Sequence, residues 1–144
     1  MHPFPHLYRV SAAADTTGPV RLSAAGLATI ASDAPVEFGG PGDQWSPETL
    51  LTAALVDCFV LSFRAVATAS KYAWTTLEVD VEGTLDRVER VTQFTRFTIR
   101  ARLRVPAGAD LERARRLLEK SEQVCLVSAS LKSEKHLEVD VAET

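Results

Sequence analysis

Two long stretches of this chain alternate apolar and polar residues at every second position. Leu77, Val79, Val81 and Leu85 stand against Glu78, Asp80, Glu82 and Asp86. Further on, Phe97, Ile99, Ala101, Leu103 and Val105 stand against Thr98, Arg100, Arg102 and Arg104. A period of two predicts strands over residues 75–88 and 94–105, each with one buried and one solvated face. The first solvated face is acidic and the second basic, and a short polar segment around Val88–Thr92 joins them. An antiparallel hairpin sets such charges opposite each other, so they read as a solvated sheet face rather than a binding patch. Residues 6–13 and 20–30 read as short strands around the turn Asp15-Thr16-Thr17-Gly18-Pro19. Leu137, Val139 and Val141 alternate with His136, Glu138 and Asp140 as a last edge strand.

Between these strands the period becomes helical. A glycine-rich loop over residues 39–46 leads into Ser46-Pro47-Glu48, a strong helix start: serine caps, proline suits the first turn, and glutamate favours the positive end of the dipole. The helix runs from Pro47 to about Lys71. Leu50, Leu51, Leu55, Val56, Phe59, Val60, Leu61, Phe63 and Val66 make it apolar on nearly every side. Such a helix must be wrapped by sheet or by a partner chain. After Pro106-Ala107-Gly108, Asp110 opens a second helix, whose apolar stripe holds Leu111, Ala114, Leu117, Leu118, Val124 and Cys125. The order β-β-β-α-β-β-α-β with antiparallel neighbours is α+β. The 144 residues suit one domain, residues 1–144.

Composition narrows the partners. Charged residues make up 24% and the net charge is −3, which argues against a nucleic-acid or anionic-membrane binder. The stretch from Leu50 to Ala69 has the length of a membrane span, yet it carries Asp57 and Arg64, which are costly in lipid. A helix buried in protein fits it better. The N-terminus, Met-His-Pro-Phe-Pro-His, does not read as a signal peptide, so the expected compartment is the cytoplasm. There a cysteine pair points to catalysis or redox sensing more than to a permanent staple.

The chain has two cysteines, Cys58 and Cys125, both in apolar segments that read as helices. Cysteine often packs as a small hydrophobe, and an apolar setting raises a thiol's pKa. A nucleophilic Cys58 therefore needs a nearby arginine or lysine, or a helix N-terminus aimed at its sulfur. Given that help, the pair suggests one thiol that attacks and one that resolves. Glu48 is the candidate for holding a guanidinium in place, bidentately. It precedes Cys58 by ten residues, about 15 Å of straight helix, so the two meet at one substrate only if the helix bends or a second chain supplies one of them. His2, His6 and His136 have no zinc-site spacing with either cysteine, and no phosphate loop, dinucleotide fingerprint or Ser-His-Asp arrangement is present.

Three stretches resemble the OsmC/Ohr family of thiol-dependent organic hydroperoxide reductases. They are Pro-Val-Glu-Phe-Gly-Gly at 35–40, Ser-Pro-Glu-Thr-Leu-Leu-Thr-Ala-Ala-Leu-Val-Asp-Cys-Phe at 46–59, and Val-Cys-Leu-Val-Ser at 124–128. The resemblance implies an intertwined homodimer, with antiparallel sheets wrapped around central helices. It also implies a peroxidatic Cys58, a resolving Cys125, and Glu48 as the carboxylate that positions a catalytic arginine. No bound cofactor is implied. The substrate is a small hydrophobic peroxide, and an external dithiol, often a lipoyl group, completes the cycle. Two positions depart from the family pattern. Thr17 stands where the arginine is expected, leaving Arg21 and Arg64 as candidate cations, and Leu126 stands where a proline commonly follows the resolving cysteine. The expected function is reduction of organic hydroperoxides through a Cys58 sulfenic acid. The alternatives are an OsmC-like dimer that binds an apolar ligand without turnover, or one that senses redox state.

Overall fold

The computed structural model describes residues 1–144 as two compact units, Met1–Leu51 and Thr52–Thr144. In the first unit, β1 (Ser11–Ala13), β2 (Val20–Ser23) and β3 (Ile30–Ser32) form an antiparallel sheet in that order. The strands are shorter than the alternation predicts. Only Ser11, Ala12 and Ala13 find partners on the four-residue β2, and residues 6–10 join no ladder. Around Gly26 (φ 76°) the chain turns, so residues 20–30 split into two strands instead of one. A single 3-10 turn, Val36–Phe38, ends at Gly39 (φ 85°), a left-handed position that glycine occupies without strain.

Helix α1, Pro47–Ala69, starts at the expected cap. The Thr49 amide donates to Ser46 Oγ at 3.1 Å, and the Ser46 amide donates to Thr49 Oγ1 at 2.9 Å. This is a capping box with threonine in the place usually taken by glutamate.

In the second unit, β4 (Thr76–Val88), β5 (Val91–Val105) and β6 (Glu134–Glu143) form a second sheet, with β5 central. The β4–β5 hairpin closes through Glu89 and Arg90, both at positive φ (49° and 69°), the two-residue geometry that matches strand twist. Its register sets Glu78 opposite Arg102 and Asp80 opposite Arg100. Arg102 bonds Asp80 at 2.8 Å and Glu78 at 3.3 Å. On the other side Arg100 bonds Glu138 at 2.8 Å, and Arg104 bonds Asp140 at 3.1 Å. The charged faces are therefore a solvated, cross-strand ladder spanning all three strands.

One expectation is corrected here. The strand β6 runs parallel to β5, so the second sheet is mixed and not antiparallel throughout. Helices α2 (Leu111–Val124) and α3 (Leu126–Ser130) lie between these strands in sequence. A helical crossover returns the chain to the end where β5 began, and a parallel pairing follows.

The opposite face of this sheet is the core. Ile99, Ala101, Leu103, Val105 and Val141 pack with Ala114 and Leu118 of α2 and with Phe59, Phe63 and Ala67 of α1. Asp110 caps α2 by accepting the Arg113 amide at 3.0 Å. Helix α1 buries one stripe, Leu55, Phe59, Phe63 and Ala67, at four-residue spacing. Leu61 stays exposed, while Leu51, Val56, Val60 and Val66 are half-buried. One chain thus covers a stripe of this helix and does not wrap it.

Gly83 pairs with Phe97, and a Cβ at position 83 would lie 2.8 Å from the Phe97 ring and 3.0 Å from that of Phe94. The two rings stack with centroids 5.0 Å apart. Gly83→Val should therefore lower stability by about 1–3 kcal/mol in chemical denaturation, through overpacking against buried Phe97.

Candidate functional site

The two cysteines meet where a helix breaks. Helix α2 ends and α3 begins at Cys125, which serves both as C-cap and as N-cap. Its backbone is extended (φ −64°, ψ 111°), so Cys125 sits at an elbow and not inside a helix as the apolar stripe predicts. Two contacts hold the elbow. Ser128 Oγ donates to Glu122 Oε1 at 2.5 Å, and the Ala129 amide donates to the Cys125 carbonyl at 3.0 Å. Both Cys125 and Ser128 are buried.

The first amides of any helix lack an intrahelical acceptor. Cys58, which α1 presents half-buried, has its pKa drawn down in part by the nearby Val127 and Leu126 amides. Ser62, one turn along α1, places its Oγ 4.0 Å from Cys58 Sγ, and the Cys125 thiol is close enough to shift the Cys58 pKa. Both thiols are free.

This surrounding separates the two proton affinities. Burial raises the Cys58 pKa, but the Val127 amide, the Cys125 thiol, the Ser62 hydroxyl and the Leu126 amide together outweigh it and hold it below the ordinary thiol value. Burial dominates at Cys125 and pushes it up to about 11, helped by the neighbouring Cys58 sulfur. The Ser128 amide offsets a little of this without closing a capping hydrogen bond on the Cys125 side chain. As pH rises, Cys58 gives up its proton first and Cys125 keeps its own.

The other site residues lie elsewhere. Glu48 is half-buried at the second position of α1 and lines an apolar cleft of about 470 Å3 with Val20, Leu22, Phe38 and Leu50. The helix is unbroken from Pro47 to Ala69, so one chain's Glu48 stays almost three turns from its Cys58. Thr17 is exposed in the β1–β2 turn. Arg21 is exposed and pairs with Asp15 at 3.4 Å. Arg64 is exposed on α1, six residues beyond Cys58, a spacing that puts it a third of a turn away from the cysteine's face. No arginine or lysine is among the groups that lower the Cys58 pKa. No three His, Cys, Asp or Glu side chains gather where they could hold a metal ion.

The OsmC family model, described as OsmC-like protein, matches residues 40–140, and the chain belongs to this family. Among its relatives is an uncharacterized protein of Bacillus subtilis (strain 168), YmaD. It is 22% identical over 111 residues, which cover 75% of this chain and 74% of that protein. An OsmC-like protein of unknown function from Vibrio cholerae has the same fold at a TM-score of 0.86, with 15% identity, covering 94% of this chain and all of that one. An organic hydroperoxide resistance protein OsmC from Legionella pneumophila matches at a TM-score of 0.73, with 22% identity, covering 97% of this chain and 99% of that one. At such identities the likeness speaks for the fold alone.

The split proton affinities lead to an order of modification. An alkylating agent at neutral pH should label Cys58 and leave Cys125, with Cys125 labelled only as pH approaches about 11, as peptide mass mapping of the folded protein would show. Stability should follow. Cys125 titrates higher in the folded chain than its ordinary value of 9.0, so the stabilisation is full below pH 9 and lost as pH rises toward about 11.

Proposed function

We propose that the protein is a cysteine-based peroxidase that reduces organic hydroperoxides. The observation that supports this reading is the pair itself: two free thiols close enough to shift each other's pKa, Cys58 downward and Cys125 up to about 11. In the proposed cycle the Cys58 thiolate attacks the O–O bond of ROOH. An S–O bond forms, the O–O bond breaks, and the alkoxide leaves and is protonated to ROH. Cys58 becomes a sulfenic acid. The Cys125 sulfur then displaces its hydroxyl, the two protons leave with the oxygen as water, and a Cys58–Cys125 disulfide remains. An external dithiol, of the lipoyl type, reduces that disulfide and is itself oxidised. No bound cofactor takes part.

A homodimer belongs to the same proposal. The uncovered apolar positions of α1, Leu61 above all, support it. A carboxylate from Glu48 at the Cys58 thiol has to come from a second copy, since α1 keeps the two apart in one chain. The proposed setting is the cytoplasm, with neither nucleic acid nor membrane as partner. The apolar cleft beside Glu48 favours one other reading, an apolar-ligand carrier without turnover.

The test is consumption of cumene hydroperoxide with dihydrolipoamide as reductant. Cys58→Ser should abolish turnover. Cys125→Ser should allow a single turnover and leave a sulfenic acid on Cys58 that dimedone traps. Undiminished turnover in Cys58→Ser would exclude the assigned nucleophile. A wild-type chain that binds the hydroperoxide without consuming it would favour the carrier.

A further inference from the structure

Helix α3 has five residues, too few for a helix to hold its shape alone in water. It hangs from Cys125, whose side chain makes no capping hydrogen bond. No glycine or proline sets the backbone of the elbow, which reads Val124-Cys125-Leu126-Val127. The hold comes from elsewhere. Helical serines often bond the carbonyl one turn back, and Ser121 and Ser130 do so, to Leu117 at 2.6 Å and Leu126 at 2.7 Å. Ser128 does not. Its buried hydroxyl reaches across the break and donates to Glu122 Oε1 at 2.5 Å. The Glu122 carbonyl in turn accepts the Cys125 amide at 3.3 Å. One residue of α2 thus grips the elbow through its main chain and α3 through its side chain. The far end of α3 is tied separately, by Lys135 Nζ of β6 donating to the Leu131 carbonyl.

We propose that Glu122 and Ser128 are positioning residues for Cys125: their hydrogen bond keeps the elbow closed and holds the buried thiol where it can close the disulfide with Cys58. This rests on the peroxidase reading of the pair, but it concerns only the second step of the cycle. A hydroxyl bonded to a carboxylate is held more strongly than one bonded to a carbonyl, and Glu122 is half-buried, which limits competition from water. Cys125 and Ser128 are both buried, three residues apart, so a loose Ser128 loosens the thiol with it. Lys135 still ties the far end of α3, so losing the clamp frees the elbow and not the whole segment. Cys58 stands on α1, outside the clamp, and its own attack should be untouched.

The test needs no peroxide. The reduced protein is mixed with one equivalent per chain of the aryl disulfide dithiobis(nitrobenzoate), and release of thionitrobenzoate is followed by stopped flow. The Cys58 thiolate displaces one thionitrobenzoate and keeps the other as a mixed disulfide. Cys125 then displaces the second, its proton passes to the buffer, and the Cys58–Cys125 disulfide is left. The first release reads the attack by Cys58 and the second reads the placement of Cys125.

Glu122→Ala and Ser128→Ala should leave the first release at the wild-type rate and slow the second about tenfold, because losing one hydrogen bond to a charged group is worth about a factor of ten. The double variant should be no slower than the singles, since all three delete the same bond. Glu122→Gln keeps an acceptor for Ser128 and should stay within about threefold of the wild type. Should Ser128→Ala fail to fold, Glu122→Ala against Glu122→Gln decides the matter. A second release at the wild-type rate in either folded alanine variant would overturn the clamp. So would a first release slowed as much as the second, or a double variant slower again than both singles. A wild type that gives one release and no second would overturn it together with the resolving role of Cys125. Two releases and a slowed second step in the variants, in a protein that consumes no hydroperoxide, would refute the peroxidase reading alone.

Discussion

The setting of the two thiols depends on one broken turn. Were α2 to continue through Cys125, the amides of Leu126 and Val127 would bond carbonyls one turn back and Cys125 would sit inside a helix. The extended backbone at Cys125 prevents this. It places Cys125 at the junction of two helices, where its thiol and that of Cys58 shift each other's pKa. A single conformational choice thus sets the surroundings of both thiols.

The rest of the second unit keeps that turn in place. The mixed sheet offers one apolar face, and α1 and α2 pack on it through Phe59, Phe63, Ala114 and Leu118. Cys58 lies one residue before Phe59, so the core contact that fixes the helix also fixes the height of the sulfur. Asp110 fixes the start of α2, and the Glu122–Ser128 bond joins its last turn to α3. The arginine ladder on the outer face is exposed, and such ion pairs are worth little each. Their service is to the register, which a one-residue slip would invert along with the buried face.

Local signals were the legible ones. The Ser46 cap, the Asp110 cap and the two long alternations are written in adjacent residues, and the structure places each where the pattern predicts. The parallel pairing of β6 was not legible, because it depends on where a crossover returns and not on the composition of β6. Nor was the elbow. Val124, Leu126, Val127 and Leu131 continue an apolar run with no glycine or proline to mark the break. The thiols themselves were plain, and the need for help at Cys58 followed from their apolar setting. Two forms of that help, a nearby cation or a helix N-terminus, stayed open, since arginines can be counted in a sequence but their placement by the fold cannot. Membership of the OsmC family agrees with the resemblance legible in the sequence, and the match over residues 40–140 spans Glu48, Cys58 and Cys125.

The central claim is that the sulfurs of Cys58 and Cys125 act on one another after one meets a peroxide. The most direct measurement is intact mass and peptide mapping of the reduced protein after one equivalent of an alkyl hydroperoxide, without added reductant. The account predicts loss of two hydrogens and a cross-link joining the peptides of Cys58 and Cys125 within one chain. An unchanged mass with the hydroperoxide intact, or oxidation confined to residues other than these two, would contradict it.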